Sequence, residues 1–205
     1  MGLDMSIRLN RRVKRGNKVI KGCEVTRYYY KDGEEVEFDI PKDGVFENNT
    51  KYMREADFAE DVYELAYWRK ANAIHKWFVD NVQHGVDNCE KYRLTKSNIE
   101  DLLALVTNLL DNIELKDGTI RNGYRIKKFL WFYYKKYIKV KGKKLTRKSV
   151  RYCKEKLPTQ KGFYFGFTDY DEYYYRMLVY TKDKLNYILK NFNFEKDTIY
   201  YSSSW

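Results

Sequence analysis

The chain has 205 residues, 43% of them hydrophobic and 34% charged, with a formal net charge of +11. This balance excludes a disordered or fibrous protein, and the length suits one domain with a sizeable core. Every apolar run is far shorter than the roughly 20 residues that span a bilayer, so we expect no membrane partner.

The positive charge is concentrated in one part of the chain. Residues 121–161 contain 16 Lys or Arg and a single acid, Glu155. The remaining residues contain 24 basic and 28 acidic side chains. We therefore expect one α+β domain over residues 1–205, whose slightly acidic body carries a basic, aromatic-rich segment, 121–161, that could be a variable insertion.

The three cysteines, Cys23, Cys89 and Cys153, are widely spaced and odd in number. A secreted scaffold held by disulfides would need a dense, even set. The cysteines therefore favour a reducing, cytosolic setting.

The first third of the chain shows strand patterns. Residues 3–9 alternate apolar and polar side chains, which predicts a half-buried strand. Residues 19–30 and 35–40 flank Asp32-Gly33, a typical hairpin turn. A basic turn over 11–16 and a loop over 42–51 are expected between these elements.

Two helices are predicted next. Apolar residues at spacings of three and four over 56–83 predict a long helix, with a break near 70–72. Ser97-x-x-Glu100 has the form of a capping box and precedes an apolar face that runs from Ile99 to Ile113.

The basic segment is compatible with two structures. Apolar residues between Ile126 and Val140 can line one face of a helix, which we prefer on pattern count, yet their β-branched and aromatic side chains also suit a hairpin turning at Lys141–Lys143. A short helix over 146–156 and a final helix capped by Thr168 should follow. The fold class is then α+β, a small antiparallel sheet packed against three to five helices, with a short strand or loose tail at the C-terminus.

The densest group of chemically versatile side chains lies in residues 67–78. On a helix, Trp68, Asn72 and His75 would share one face. Arg69 and its neighbours offer a fork for phosphate, rings for stacking and directed hydrogen bonds, which suit a nucleotide-sized anion. The competing interpretation is an amphipathic helix whose aromatic side chains fill the core.

Metal and nucleophile chemistry have little support. The spacing of His75, His84 and Cys89 matches no zinc pattern, and no nucleophile elbow, P-loop or dinucleotide motif is present. We expect no metal and no cofactor.

A nucleic-acid interface is the other candidate. Cations interleaved with aromatic side chains supply phosphate contacts and stacking together. The candidate cations are Arg125, Lys127, Lys128, Lys135, Lys136, Lys143 and Lys144. Residues 161–167 also match part of an RNA-binding aromatic strand motif. The plain alternative is a solvated face over an aromatic core contact.

Three blocks together resemble a known family. The start Met1-Gly2-Leu3-Asp4-Met5, residues 67–79 with the region of Cys89, and residues 157–172 are similar to a widespread family of small bacteriophage and prophage proteins without an established activity. The resemblance spans about two-thirds of the chain and implies a phage-derived protein of the host cytosol. Ser6, Tyr164 and the strongly basic 121–161 stretch depart from it.

The residues in the shared blocks favour a non-catalytic, ligand-binding phage accessory protein. Its ligand would be a small, nucleotide-like anion, and sequestering a host defence signal is one use that fits. The proposed ligand-binding residues are Trp68, Arg69, Lys70, Asn72, His75, Phe163, Phe165 and Tyr170. DNA or RNA binding through 121–161 is the alternative, a host protein remains a further partner class, and an enzyme using His75 ranks third.

Overall fold

The computed structural model describes residues 2–13, 23–40 and 56–205, with only the backbone for 38–40. Within these ranges the fold is α+β, as predicted from the sequence. The strands are β1 Asp4–Arg12, β2 Glu24–Lys31, β3 Glu34–Ile40, β4 Phe58–Arg69, β5 Tyr92–Arg93, β6 Leu115–Phe129, β7 Phe132–Leu145 and β8 Thr198–Ser204. The helices are α1 Asn72–Asn81, α2 Lys96–Asn112, α3 Arg147–Lys156 and α4 Glu172–Asn191.

Six strands form one antiparallel sheet in the order β3-β2-β4-β1-β8-β5, and β6 and β7 form a separate two-stranded ribbon. The hairpin between β2 and β3 turns at Asp32-Gly33, as predicted, because both residues adopt positive φ. The predicted N-terminal strand is confirmed as β1, whose Met5, Ile7 and Leu9 enter the core. The tail forms β8.

The core lies between the six-stranded sheet and the helices packed on it. Strand β4 brings Trp68 under helix α4, where its indole N–H donates to Thr181 Oγ1 at 2.9 Å. Phe78 of α1 stacks on Tyr201 of β8 with ring centroids 3.9 Å apart. The sheet and helices therefore meet along a continuous apolar cluster.

The predicted helix over 56–83 is half wrong. Its first part is strand β4, and only 72–81 is helical, although the predicted break is present where Lys70 adopts a positive φ of 59°. The cause is a β-bulge: Ile7 pairs with Ala66 and Arg8 pairs with Glu64, so Leu65 is an extra residue. Leu65 and Ala66 are both buried as a result, and this breaks the strand alternation and imitates helical spacing.

Two helix starts also differ from the prediction. Helix α2 is capped by Thr95, whose hydroxyl accepts from Asn98 N–H in a capping box two residues before the predicted one. Helix α4 is capped by Asp171 rather than Thr168. Helix α3 begins and ends where it was predicted, with Thr146 as its N-cap.

The preferred helix over 126–140 is wrong. A hairpin is observed instead, but it does not turn at Lys141–Lys143 as the alternative proposed. Its turn is Leu130-Trp131, since Phe129 pairs with Phe132, whereas Gly142 lies inside β7 opposite Gly118. Tyr, Phe, Trp, Ile and Val favour extended backbone, and these residues dominate the segment.

The predicted basic turn over 11–16 lies mostly outside the described residues, and the loop over 42–51 lies wholly outside them. No helix among the described residues is long and apolar enough to cross a membrane.

Candidate functional site

The residues proposed for a ligand pocket separate into a buried and an exposed group. Trp68 belongs to a strand and Asn72 and His75 to a helix, so the predicted shared helix face does not exist. Trp68, Asn72, His75 and Phe165 are buried, and Tyr170 is half-buried. Arg69, Lys70 and Phe163 are exposed.

Asn72 uses its side-chain amide to hold the loop that precedes α4. Its amide nitrogen donates to the carbonyls of Phe165 and Phe167, both at 3.0 Å, and its oxygen accepts from Gln160 N–H at 3.2 Å. This buried amide therefore has hydrogen-bond partners for both its nitrogen and its oxygen. Asn72 therefore fixes the loop in place.

His75 is fully buried in a second network. Its Nδ1 lies 2.8 Å from the Tyr201 hydroxyl and its Nε2 lies 3.0 Å from Asp87. Asp87 also accepts from the Trp205 indole N–H at 3.1 Å. Burial lowers the pKa of His75, opposed in part by the Asp87 carboxylate. Both ring nitrogens are thus engaged inside the protein, where the imidazole has no face open to a substrate.

The loop over 161–167 is a tight turn and not a strand. Gly166 has a φ of 88°, and a side chain at Gly162 would meet the Phe165 ring at 2.4 Å. The turn buries Phe165 against His75, with ring centroids 5.3 Å apart, while Phe163 and Phe167 are exposed. The partial match of residues 161–167 to an RNA-binding strand motif therefore lacks its strand.

The same loop supports the base of the β6–β7 ribbon. The Arg121 guanidinium lies 4.8 Å from the Tyr137 ring centroid and 4.9 Å from that of Phe167, and it donates to the Asp169 carboxylate. Asp169 accordingly raises the pKa of Arg121. The Leu145 N–H also donates to the Tyr170 carbonyl at 3.0 Å. Arg121, Tyr137, Phe167 and Asp169 thus form a cluster, which we call the mount, that holds the base of the ribbon.

Sequence reasoning did not find this mount. Arg121, Tyr137, Phe167 and Asp169 are distant along the chain, and no local window brings them together. Tyr170, proposed as a ligand residue, belongs to the same support, because its hydroxyl accepts from Thr159 N–H at 3.1 Å.

Beyond the mount, the ribbon is entirely exposed. We call residues 124–139 the arm. All sixteen of its residues are exposed, among them Trp131 at 74%. With a rise of about 3.4 Å per residue, the arm extends about 25 Å from the mount.

The arm combines cations and rings without any acid. It carries six cations and seven aromatic side chains. Within the described part of the chain, none of the six cations forms an ion pair. The cations are Arg125, Lys127, Lys128, Lys135, Lys136 and Lys139, and the rings are Tyr124, Phe129, Trp131, Phe132, Tyr133, Tyr134 and Tyr137.

The two other predicted nucleic-acid contacts, Lys143 and Lys144, lie at the base of the ribbon. Both are exposed, and the backbone of Lys144 forms an isolated antiparallel β-bridge with that of Asp171. They extend the positive surface toward the body.

No metal-binding cluster of three or more His, Cys, Asp or Glu is found among the described residues. Comparison with protein-family models, curated proteins and solved structures finds no match for this chain. The functional argument therefore rests on the geometry above.

Proposed function

We propose that the protein binds nucleic acid through the arm. The observation that supports this is the coincidence, on the exposed arm, of seven aromatic rings, no carboxylate and six cations that form no ion pair with a described residue. Phosphate neutralisation by Lys and Arg supplies affinity, and rings stack on bases. The resemblance to phage proteins suggests the cytosol of an infected bacterium as the setting.

The side chains of the arm are better suited to contact nucleic acid than to pack inside a protein core. An isolated two-stranded ribbon is marginally stable in water, and large contiguous apolar patches are rarely exposed on monomeric proteins. Strand pairing and the contacts of Arg121 hold the ribbon, but the rings toward its tip, from Phe129 to Tyr133, stay exposed. A polyanion with flat bases would cover both the charges and the rings.

The test compares two variants with the same loss of charge. The arm variant replaces Lys127, Lys128, Lys135 and Lys136 with Ala. The body variant replaces four exposed lysines outside the ribbon, namely Lys91, Lys96, Lys190 and Lys196. Fluorescence anisotropy with labelled 30-nucleotide duplex and single strands, between 50 and 200 mM salt, measures the affinities.

Six phosphate contacts predict about a 10³-fold loss of wild-type affinity across that salt range, and two remaining contacts predict about a tenfold loss for the arm variant. The body variant should keep the steep wild-type dependence. The proposal fails if the wild type binds neither strand form at 50 mM salt, or if the body variant loses as much as the arm variant. Binding to anionic vesicles without binding to nucleic acid would assign the arm to a membrane surface instead.

A small anionic ligand, used to sequester a host signal, remains a second proposal with a smaller site. Arg69 and Lys70 are exposed and both pass close to Gly2: a Cβ added there would lie 3.4 Å from Lys70 Cε and 3.9 Å from Arg69 Nε. Phosphate groups suit such a pair. A thermal shift with mono-, di- or cyclic nucleotides, lost in Arg69→Ala, would support this proposal, and no shift across the panel would dismiss it.

A further inference from the structure

The two faces of the arm are equivalent in chemistry. Residues that pair across an antiparallel ribbon project to the same side, and successive pairs alternate. The pairing of Tyr124 with Tyr137 sets the alternation. One face therefore carries Tyr124, Ile126, Lys128, Tyr133, Lys135 and Tyr137, and the other carries Arg125, Lys127, Phe129, Phe132, Tyr134 and Lys136.

Both faces are largely free of contacts with the described part of the body, although Tyr137, at the base of the first face, packs against Arg121 and Phe167. All twelve side chains are exposed. On the first face, Lys135 Nζ lies 4.5 Å from the ring centroid of Tyr124, and Lys128 Nζ lies 5.8 Å from that of Tyr133. The positive charge therefore stays close to that face. The second face carries three cations beside three rings. A partner that matches this symmetry must present negative charge to both faces at once.

We propose that the arm enters a groove of double-stranded DNA with its edge toward the groove floor, so that each face meets one phosphate wall. This inference rests on the proposed function. The major groove of B-form DNA, about 12 Å wide and 8.5 Å deep, admits a two-stranded β-ribbon.

Other nucleic acids match the two faces less well. A single strand that stacks on rings covers one face and leaves the other exposed. A-form RNA has a major groove too narrow for a ribbon and a shallow minor groove without opposed walls. Duplex DNA is the partner that places phosphates on both sides.

Two matched variants test the inference because each removes two lysines from one face. Lys128→Ala/Lys135→Ala changes the first face, and Lys127→Ala/Lys136→Ala changes the second. Both variants take one lysine from each strand, and all four lysines are exposed, so the pairs are matched in charge, strand and exposure. The measurement is the slope of log affinity against log salt for a 30-base-pair DNA duplex.

Each double variant should reduce the magnitude of the slope by about 1.8, because it loses two phosphate contacts on one wall of the groove. The inference is overturned if one pair lowers the slope and the other leaves it unchanged, since the ribbon then lies flat on its partner. It is also overturned if a single strand of equal length binds as tightly as the duplex. Both results leave nucleic-acid binding intact, whereas absence of binding to any nucleic acid would remove the proposed function as well.

Discussion

The body and the arm use polar side chains in opposite ways. In the body, Asn72 and His75 are buried, and their side chains form hydrogen bonds with other parts of the chain. In the arm, every residue is exposed and no cation forms an ion pair with a described residue. Buried polar groups must be satisfied internally, whereas unpaired exposed ones cost little and stay free for a partner. Stability should therefore depend on the body and binding on the arm.

The buried ion pair of the sheet should show the largest effect on stability. Arg27 Nε and Nη2 donate to the two Asp61 oxygens at 2.6 and 2.9 Å, and both side chains are 5% exposed. Asp61→Ala leaves a buried guanidinium without its carboxylate and should lower the free energy of unfolding by about 3–5 kcal/mol. Urea denaturation measures the loss.

The double variant Arg27→Met/Asp61→Ala removes the uncompensated charge and should recover part of that stability. It also guards against failure of the single variant to fold. A loss below about 1 kcal/mol for Asp61→Ala would contradict the view that the body depends on its internal pairs.

Sequence patterns predicted the elements whose apolar spacing is regular. The alternation of β1, the Asp32-Gly33 hairpin and the apolar face of α2 are all present. Each depends on neighbours within a few residues, so a local pattern contains the necessary information.

The patterns failed where distant residues decide the structure. The bulge at Leu65 is set by pairing with β1, and it produced a helical spacing in a strand. The arm has no buried face, so its sequence shows no inside and outside to read. Asn72 and His75 were predicted to bind a ligand, whereas the structure shows them bonded to Phe167, Asp87 and Tyr201, whose contact with them no local pattern could indicate.

His75 predicts an acid-dependent loss of stability. Burial lowers its pKa in the folded protein, while the unfolded chain takes up a proton near the ordinary pKa of about 6.5. The unfolded state then binds more protons as the pH falls below about 6.5, so the free energy of unfolding should fall with it. Asp87 and Tyr201 are the titratable groups that contact the imidazole.

His84 provides the matched control, because it is the other histidine of the chain and is exposed. Urea midpoints at pH 7.5, 6.5 and 5.5 should show a smaller acid loss in His75→Gln than in the wild type, and an unchanged loss in His84→Gln. NMR titration of the wild-type His75 ring should give a pKa below the ordinary histidine value of about 6.5. An identical acid loss in both variants would contradict the buried role of His75.

The smallest effect on stability should come from the arm tip. Trp131→Ala removes a ring that is 74% exposed and should change the free energy of unfolding by no more than about 0.5 kcal/mol. The same substitution at Trp77, which is 8% exposed in the core, should cost about 3–5 kcal/mol.

For nucleic-acid binding the order should reverse: loss of one stacking ring at position 131 costs about 1–3 kcal/mol of affinity. Anisotropy and urea denaturation on the two variants separate these effects, and a destabilisation by Trp131→Ala comparable to that of Trp77→Ala would mean that the tip packs against the protein.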